Sequence, residues 1–162
     1  MVSEANQSDD CTVLDVRPGS GIGPIEIGMT RDEVITAAKN WELAAVDFRR
    51  TGAEDRPDLL LGGQLFAYFQ DGDRVAEIEV AVSGPRPVVC LGIDLAGSRV
   101  ELLAQVAALD RMDENDPEYP SVAAFPEIGV SFWTDSGIEG EGRIDAALVR
   151  TPDPSSFDQG PA

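Results

Sequence analysis

Glu77 and Glu79 lie two residues apart in a strand-forming run, and alternate residues of a strand share a face. Two carboxylates on one face are the least that a glycosidase needs. Alternating acids on an exposed strand serve more often as a solvated face or an edge guard, and that is the reading adopted for this pair. The chain has no histidine, which removes Ser-His and Cys-His nucleophile pairs, His-ligated zinc and the usual neutral-pH base. Chemistry would rest on carboxylates, a thiol or Lys39, the single lysine.

Three further stretches have suggestive residue types. Asp113-Glu114-Asn115-Asp116-Pro117-Glu118 offers the oxygens of a calcium loop, but it lacks the central glycine and the terminal glutamate spacing, and Pro117 stands where a ligand belongs. It reads as an acidic loop. Gly19-Ser20-Gly21-Ile22-Gly23 lacks the lysine and the following helix of a phosphate cradle, so it reads as a turn. Cys11 and Cys90 are far apart in sequence and are expected as free thiols of a reducing cytosol; a disulfide is the alternative if the protein is exported. No catalytic residue, metal ligand or cofactor site follows, and a non-enzymatic protein is expected.

The elements that position these residues come from local signals. Ile25 and Ile27 end a strand, Gly28 breaks it, and Thr30-Arg31-Asp32-Glu33 has the form of a capping box. A helix over about 31–39 follows, with Val34, Ala37, Ala38 and Trp41 on one stripe. Leu65 to Gln70 and Val75 to Val82 are β-rich runs around Asp71-Gly72-Asp73, a hairpin turn in which glycine accepts the positive φ. The pattern then recurs. At an offset of 68, Ile93 and Leu95 take the strand places and Ser98-Arg99-Val100-Glu101 repeats the box; Val130–Asp135 parallels Phe66–Asp71 at an offset of 64, and Ile144–Val149 parallels Ala76–Ala81 at 68 again. Ser83-Gly84-Pro85-Arg86-Pro87 separates the copies. The expected fold is therefore α+β: two tandem units, each a short capped helix packed on a small antiparallel sheet, at residues 12–82 and 88–150, with flexible tails at 1–11 and 151–162.

This repeated module of capped helix and antiparallel strands resembles the β-lactamase inhibitor protein family, whose tandem units bind an enzyme across a concave sheet. Ile27-Gly28-Met29-Thr30-Arg31-Asp32-Glu33-Val34 also resembles the helix entry of BamE (SmpA)-type lipoprotein modules. The chain departs from those modules in two ways: no lipoprotein leader precedes Cys11, and the Gly-Pro that often follows their helix is absent. The opening Gly21-Ile22-Gly23-Pro24, with Gly28-Met29-Thr30 after it, is similar to small acidic immunity-like proteins of GC-rich bacteria. These resemblances imply binding rather than chemistry.

Charge points the same way. Net charge is −18, and it is spread evenly, since residues 1–81 carry 16 acids against 7 bases and residues 82–162 carry 14 against 5. Such a field repels nucleic acid and anionic membranes and attracts basic surfaces. No apolar run is long enough to span a membrane, and the acidic N-terminus is unlike a signal peptide, so a cytoplasmic location without membrane insertion is expected.

On the two aromatic strands, Phe66, Tyr68, Val130 and Phe132 form the more apolar face and are expected to meet the helices. Ala67, Phe69, Asp71, Ser131, Trp133 and Asp135 form the other. The expected partner-binding residues are therefore Phe69 and Trp133 as anchors, with Asp71, Glu77, Glu79, Asp135 and Asp145 steering a basic protein. The function that follows is an inhibitor or immunity protein that neutralises a basic toxin or enzyme domain, such as a nuclease, by occluding its active site. The alternatives are an envelope assembly scaffold of the BamE type and a small-molecule binding domain.

Overall fold

A computed structural model describes residues 13–48, 58–70, 72–96, 104, 106–108, 112–113, 122–134 and 144–153. Strands begin where the apolar residues alternate: in β1 (Leu14–Arg17) Leu14 and Val16 are buried and Asp15 is exposed. The strand expected near Ile25 and Ile27 is β3 (Ile25–Glu26), and Gly21–Ile22, inside the stretch expected as a turn, forms a further strand, β2, that pairs with it. Gly23 makes the turn between them, since its φ of +57° suits a two-residue hairpin loop and a Cβ there would lie 2.7 Å from the Leu14 side chain.

The capping box forms as expected. Thr30 donates its N–H to Glu33 Oε1 at 3.1 Å and its hydroxyl accepts the Glu33 N–H at 3.3 Å, opening α1 (Arg31–Asn40). Asp32 and Glu33 in the first turn and Lys39 in the last suit the helix dipole. Val34 and Ala38 are buried one turn apart, and Ala37 and Trp41 pack partly buried against the same core.

The remaining strands are β4 (Ala45–Phe48), β5 (Asp58–Leu61), β6 (Leu65–Gln70), β7 (Arg74–Ala81), β8 (Val88–Cys90), β9 (Ile93–Asp94), β10 (Val122–Phe125), β11 (Val130–Thr134) and β12 (Ile144–Arg150). Seven of them form one antiparallel sheet in the order β10-β11-β12-β7-β6-β5-β4. Five form a smaller sheet, β3-β2-β1-β8-β9, in which β1 and β8 run parallel. The smaller sheet lies against the larger, β1 and β2 meeting β12, and β2 and β3 meeting β7.

This corrects the expected fold. The chain is mostly β, with α1 as the only helix lying wholly within the described residues, and the two expected helix-capped units do not form. Ala104, Val106 and Ala107 are also helical, but the second capping box at Ser98–Glu101 lies outside the described residues. The physical reason is in β7 and β12. A separate unit would leave each of these strands as an open edge, whereas pairing Ile78 with Val149 and Val80 with Ala147 closes both edges into one sheet. Strands from both halves of the chain thereby share one core: Leu14, Ile22, Ile25, Val34, Leu61, Leu65, Ile78, Val80, Phe125, Phe132 and Val149 are all at most 1% exposed. Each such side chain contributes roughly 1.5–3 kcal/mol by its burial.

Where the sheets meet, backbone approaches backbone. Gly19 donates its N–H to Gly129 O at 3.2 Å. A Cβ on Gly129, whose φ is +77°, would stand 2.3 Å from Arg150 O and 2.9 Å from Gly19 Cα. A second tie is Gln64, buried at 2% exposure. Its amide donates to Ala81 O and Arg86 O at 2.9 and 2.8 Å and accepts the Arg86 N–H at 3.0 Å, fixing the 84–86 turn to the β5–β6 turn.

Candidate functional site

The larger sheet has an inner face toward the small sheet and α1, and an outer face. Which residues reach the outer face is decided by a bulge. Phe69 pairs with Val75 but Tyr68 pairs with Glu77, so Ala76 is an extra residue on β7. Past that point each residue of β6 faces a partner of changed parity: Tyr68 lies opposite Glu77 and Phe66 opposite Glu79. Ala67 and Phe69 are buried, at 0% and 3% exposure.

Two rows of side chains therefore cross the outer face. One runs Tyr68, Glu77, Arg150; the other runs Phe66, Glu79, Leu148, Ser131, of which Leu148 and Ser131 are buried, so the accessible part of this row is Phe66 and Glu79. Phe48 of β4 leans onto the first strand of these rows, edge-on to both rings at 5.5 Å from Phe66 and 6.0 Å from Tyr68, while Phe66 and Tyr68 are nearly parallel at 6.3 Å. All three rings are half-buried. The Tyr68 hydroxyl donates to Glu79 Oε1 at 3.0 Å, which fixes one carboxylate at the margin of the aromatic cluster. Arg150 meets Glu77 at 3.4 Å. With half of the Arg150 side chain in water, this ion pair contributes about 0–1 kcal/mol and can exchange.

The expected site residues divide between faces. Glu77 and Glu79 are neighbours on the outer face, and Trp133 shares that face in another row, opposite Ala146 on β12. Phe69 does not, and its expected role as an anchor is corrected: it is a core residue under the Arg31 guanidinium, 4.3 Å from its ring centroid. Phe66 and Tyr68, expected inside, belong to the outer face, whereas Val130 and Phe132 are buried as expected. Asp145 is exposed at a second bulge, left over where Trp133 pairs with Ala146 and Thr134 with Ile144. Asp71 and Asp135 lie outside the described residues. Phe48 and Arg150 were missed. The signal for Arg150 was the continuation of the β12 alternation; Phe48 carried none, because the run from Leu43 to Phe48 fits a continued helix as well as a strand and β4 is exposed at three of its four positions.

No family model, curated protein or solved structure matches this chain. The site is thus read from its own geometry.

Two other polar features adjoin the sheet. Near one end of the hairpin β6–β7, Arg31 is gripped by Asp73 through Nε at 3.0 Å and Nη2 at 2.9 Å. The Asp73 hydrogen bond, followed by the charges of Asp73, Asp47 and Asp58, raises the guanidinium pKa above its ordinary value although burial opposes it. Asp58, fully buried, accepts the Phe69 N–H at 2.9 Å at the register shift. At the β10–β12 end of the sheet there is a cavity of about 260 Å³, lined by Asp113, Ser131, Arg150, Thr151 and Asp153 among others. Among the described residues no group of three or more Cys, Asp and Glu side chains is placed to hold a metal ion, and no helix is long and apolar enough to cross a membrane.

Proposed function

We propose that this protein is a non-enzymatic binding protein of the inhibitor or immunity class, which captures a basic protein on the outer face of its seven-stranded sheet. The observation that carries the reading is the adjacency of Phe48, Phe66 and Tyr68 to Glu77 and Glu79 on one solvent-facing surface. Half-buried rings supply contact area at little entropic cost, and the carboxylates beside them select cationic partners. The −18 net charge extends that selection to long range and speeds encounter with a basic toxin or enzyme domain, a nuclease being one such class. Occlusion needs no reacting group on this chain, only a complementary face.

The experiment is capture from host lysate with the unaltered protein and with Glu77→Lys/Glu79→Lys, washed at low and high salt. The expected result is one basic protein held near stoichiometry, released by salt and lost on charge reversal. Retention of that protein by the reversed variant would overturn the assignment of this face. Capture of envelope proteins alone would favour an assembly scaffold instead.

A further inference from the structure

We infer that the basic partner presents an arginine, not a lysine, to the aromatic cluster, with its guanidinium against Phe48, Phe66 and Tyr68 and its fork turned to Glu79 and Glu77. The inference rests on the proposed reading of this face as the docking surface, and adds which cation is read there. Its ground is chemical. A guanidinium is planar and weakly hydrated, so it can lie on a ring while donating in its plane to a carboxylate; an ammonium is a strongly hydrated point charge that loses more on leaving water. The outer face offers rings and carboxylates at that spacing: Tyr68 donates to Glu79 at 3.0 Å, Phe66 lies opposite Glu79, and Tyr68 lies opposite Glu77.

The molecule already uses this combination on its own residues. On the inner side Arg31 lies 4.3 Å from the Phe69 centroid, and Asp73 holds its fork at 2.9 and 3.0 Å. On the outer face itself Arg150 sits against Glu77, in the same row as Tyr68, in a half-exposed pair weak enough to yield to an incoming guanidinium. Carboxylates elsewhere on the surface would attract either cation equally. Only this cluster couples three rings to them among the described residues.

The test uses the full chain and two peptides of equal length and charge, one all-arginine and one all-lysine, with affinities measured by calorimetry at low salt. The arginine peptide is expected to bind roughly fivefold or more tightly. Phe48→Leu and Phe66→Leu, each checked for an unchanged circular dichroism spectrum, are expected to bring the arginine affinity down to the lysine value and leave the lysine value where it was. Equal affinities for the unaltered protein would overturn the arginine assignment while leaving an acidic docking face intact. An arginine preference that survives both substitutions would also overturn it, by placing the preference elsewhere. Failure of both peptides to bind would overturn the docking face and the arginine assignment together. The comparison on the unaltered protein decides the matter even if Phe66→Leu does not fold.

Discussion

Asp73 grips Arg31 with both carboxylate oxygens, at 2.9 and 3.0 Å, across 42 residues of sequence, and so ties the first turn of α1 to the tip of the β6–β7 hairpin. The same residue has a φ of +57°, a left-handed conformation that aspartate and asparagine tolerate better than other side chains. Backbone and charge are therefore separable here. Asp73→Asn is expected to cost about 1 kcal/mol by removing a charge-assisted pair that is partly in water. Asp73→Ala adds the left-handed penalty, for about 2 kcal/mol in all. Urea unfolding of the two variants checks the order; equal losses would mean that the conformational part is absent.

The capping box makes stability sensitive to acid through one identified group. Glu33 has its pKa lowered by the Thr30 backbone N–H first and the Thr30 hydroxyl second. A carboxyl depressed in the folded state stabilises it above the unfolded pKa, and that contribution is lost as pH falls through the folded pKa. The stability difference between the protein and Glu33→Gln is therefore expected to be constant at neutral pH and to shrink below about pH 4.3, the ordinary glutamate value. Thermal midpoints from pH 7 to pH 3 measure it, and a difference that grows on acidification would contradict the box as its source.

Phe69 and Phe66 are three residues apart on one strand and belong to opposite faces, which predicts opposite mutational signatures. Phe69→Ala is expected to cost about 3–5 kcal/mol, as for other buried aromatics. Phe66→Ala is expected to cost about 1–2 kcal/mol, since only part of its ring leaves water on folding. Partner capture, conversely, is expected to be lost with Phe66→Ala. Denaturant melts set beside capture assays would show the split, and a larger loss of stability at Phe66 would reverse the assigned faces.

Cys90 is fully buried on β8 and its thiol is pushed up to about 12, by desolvation first and the charge of Asp15 second. A thiol held protonated in the fold but free to ionise in the unfolded chain makes stability fall as pH rises from about 8.5, the ordinary thiol value, toward its folded value. In native protein at pH 8, Cys90 is expected to resist a thiol reagent and to be modified at once on addition of guanidinium chloride. Peptide mapping after labelling identifies the site. Rapid native labelling of Cys90 would show that β8 opens far more readily than its packing implies.

The sequence by itself determined what depends on near neighbours. The box at Thr30 and Glu33, the helix over residues 31–40, the positive φ at Gly72 and the alternation of Glu77 and Glu79 against Ile78 and Val80 are each set within a few residues, by hydrogen bonds and side-chain period that need no partner strand. The charge and the lack of histidine are equally local facts, and they restrict what chemistry the chain can do. Tertiary structure decided the rest. That β7 pairs with β12, joining strands of the two expected units in one sheet, depends on closing edges whose paired residues are 65 to 73 apart in sequence. That Phe66 and Tyr68 stand beside the glutamates, and Phe69 does not, depends on one extra residue at Ala76, because a strand has a period of two and a single insertion reverses every face beyond it.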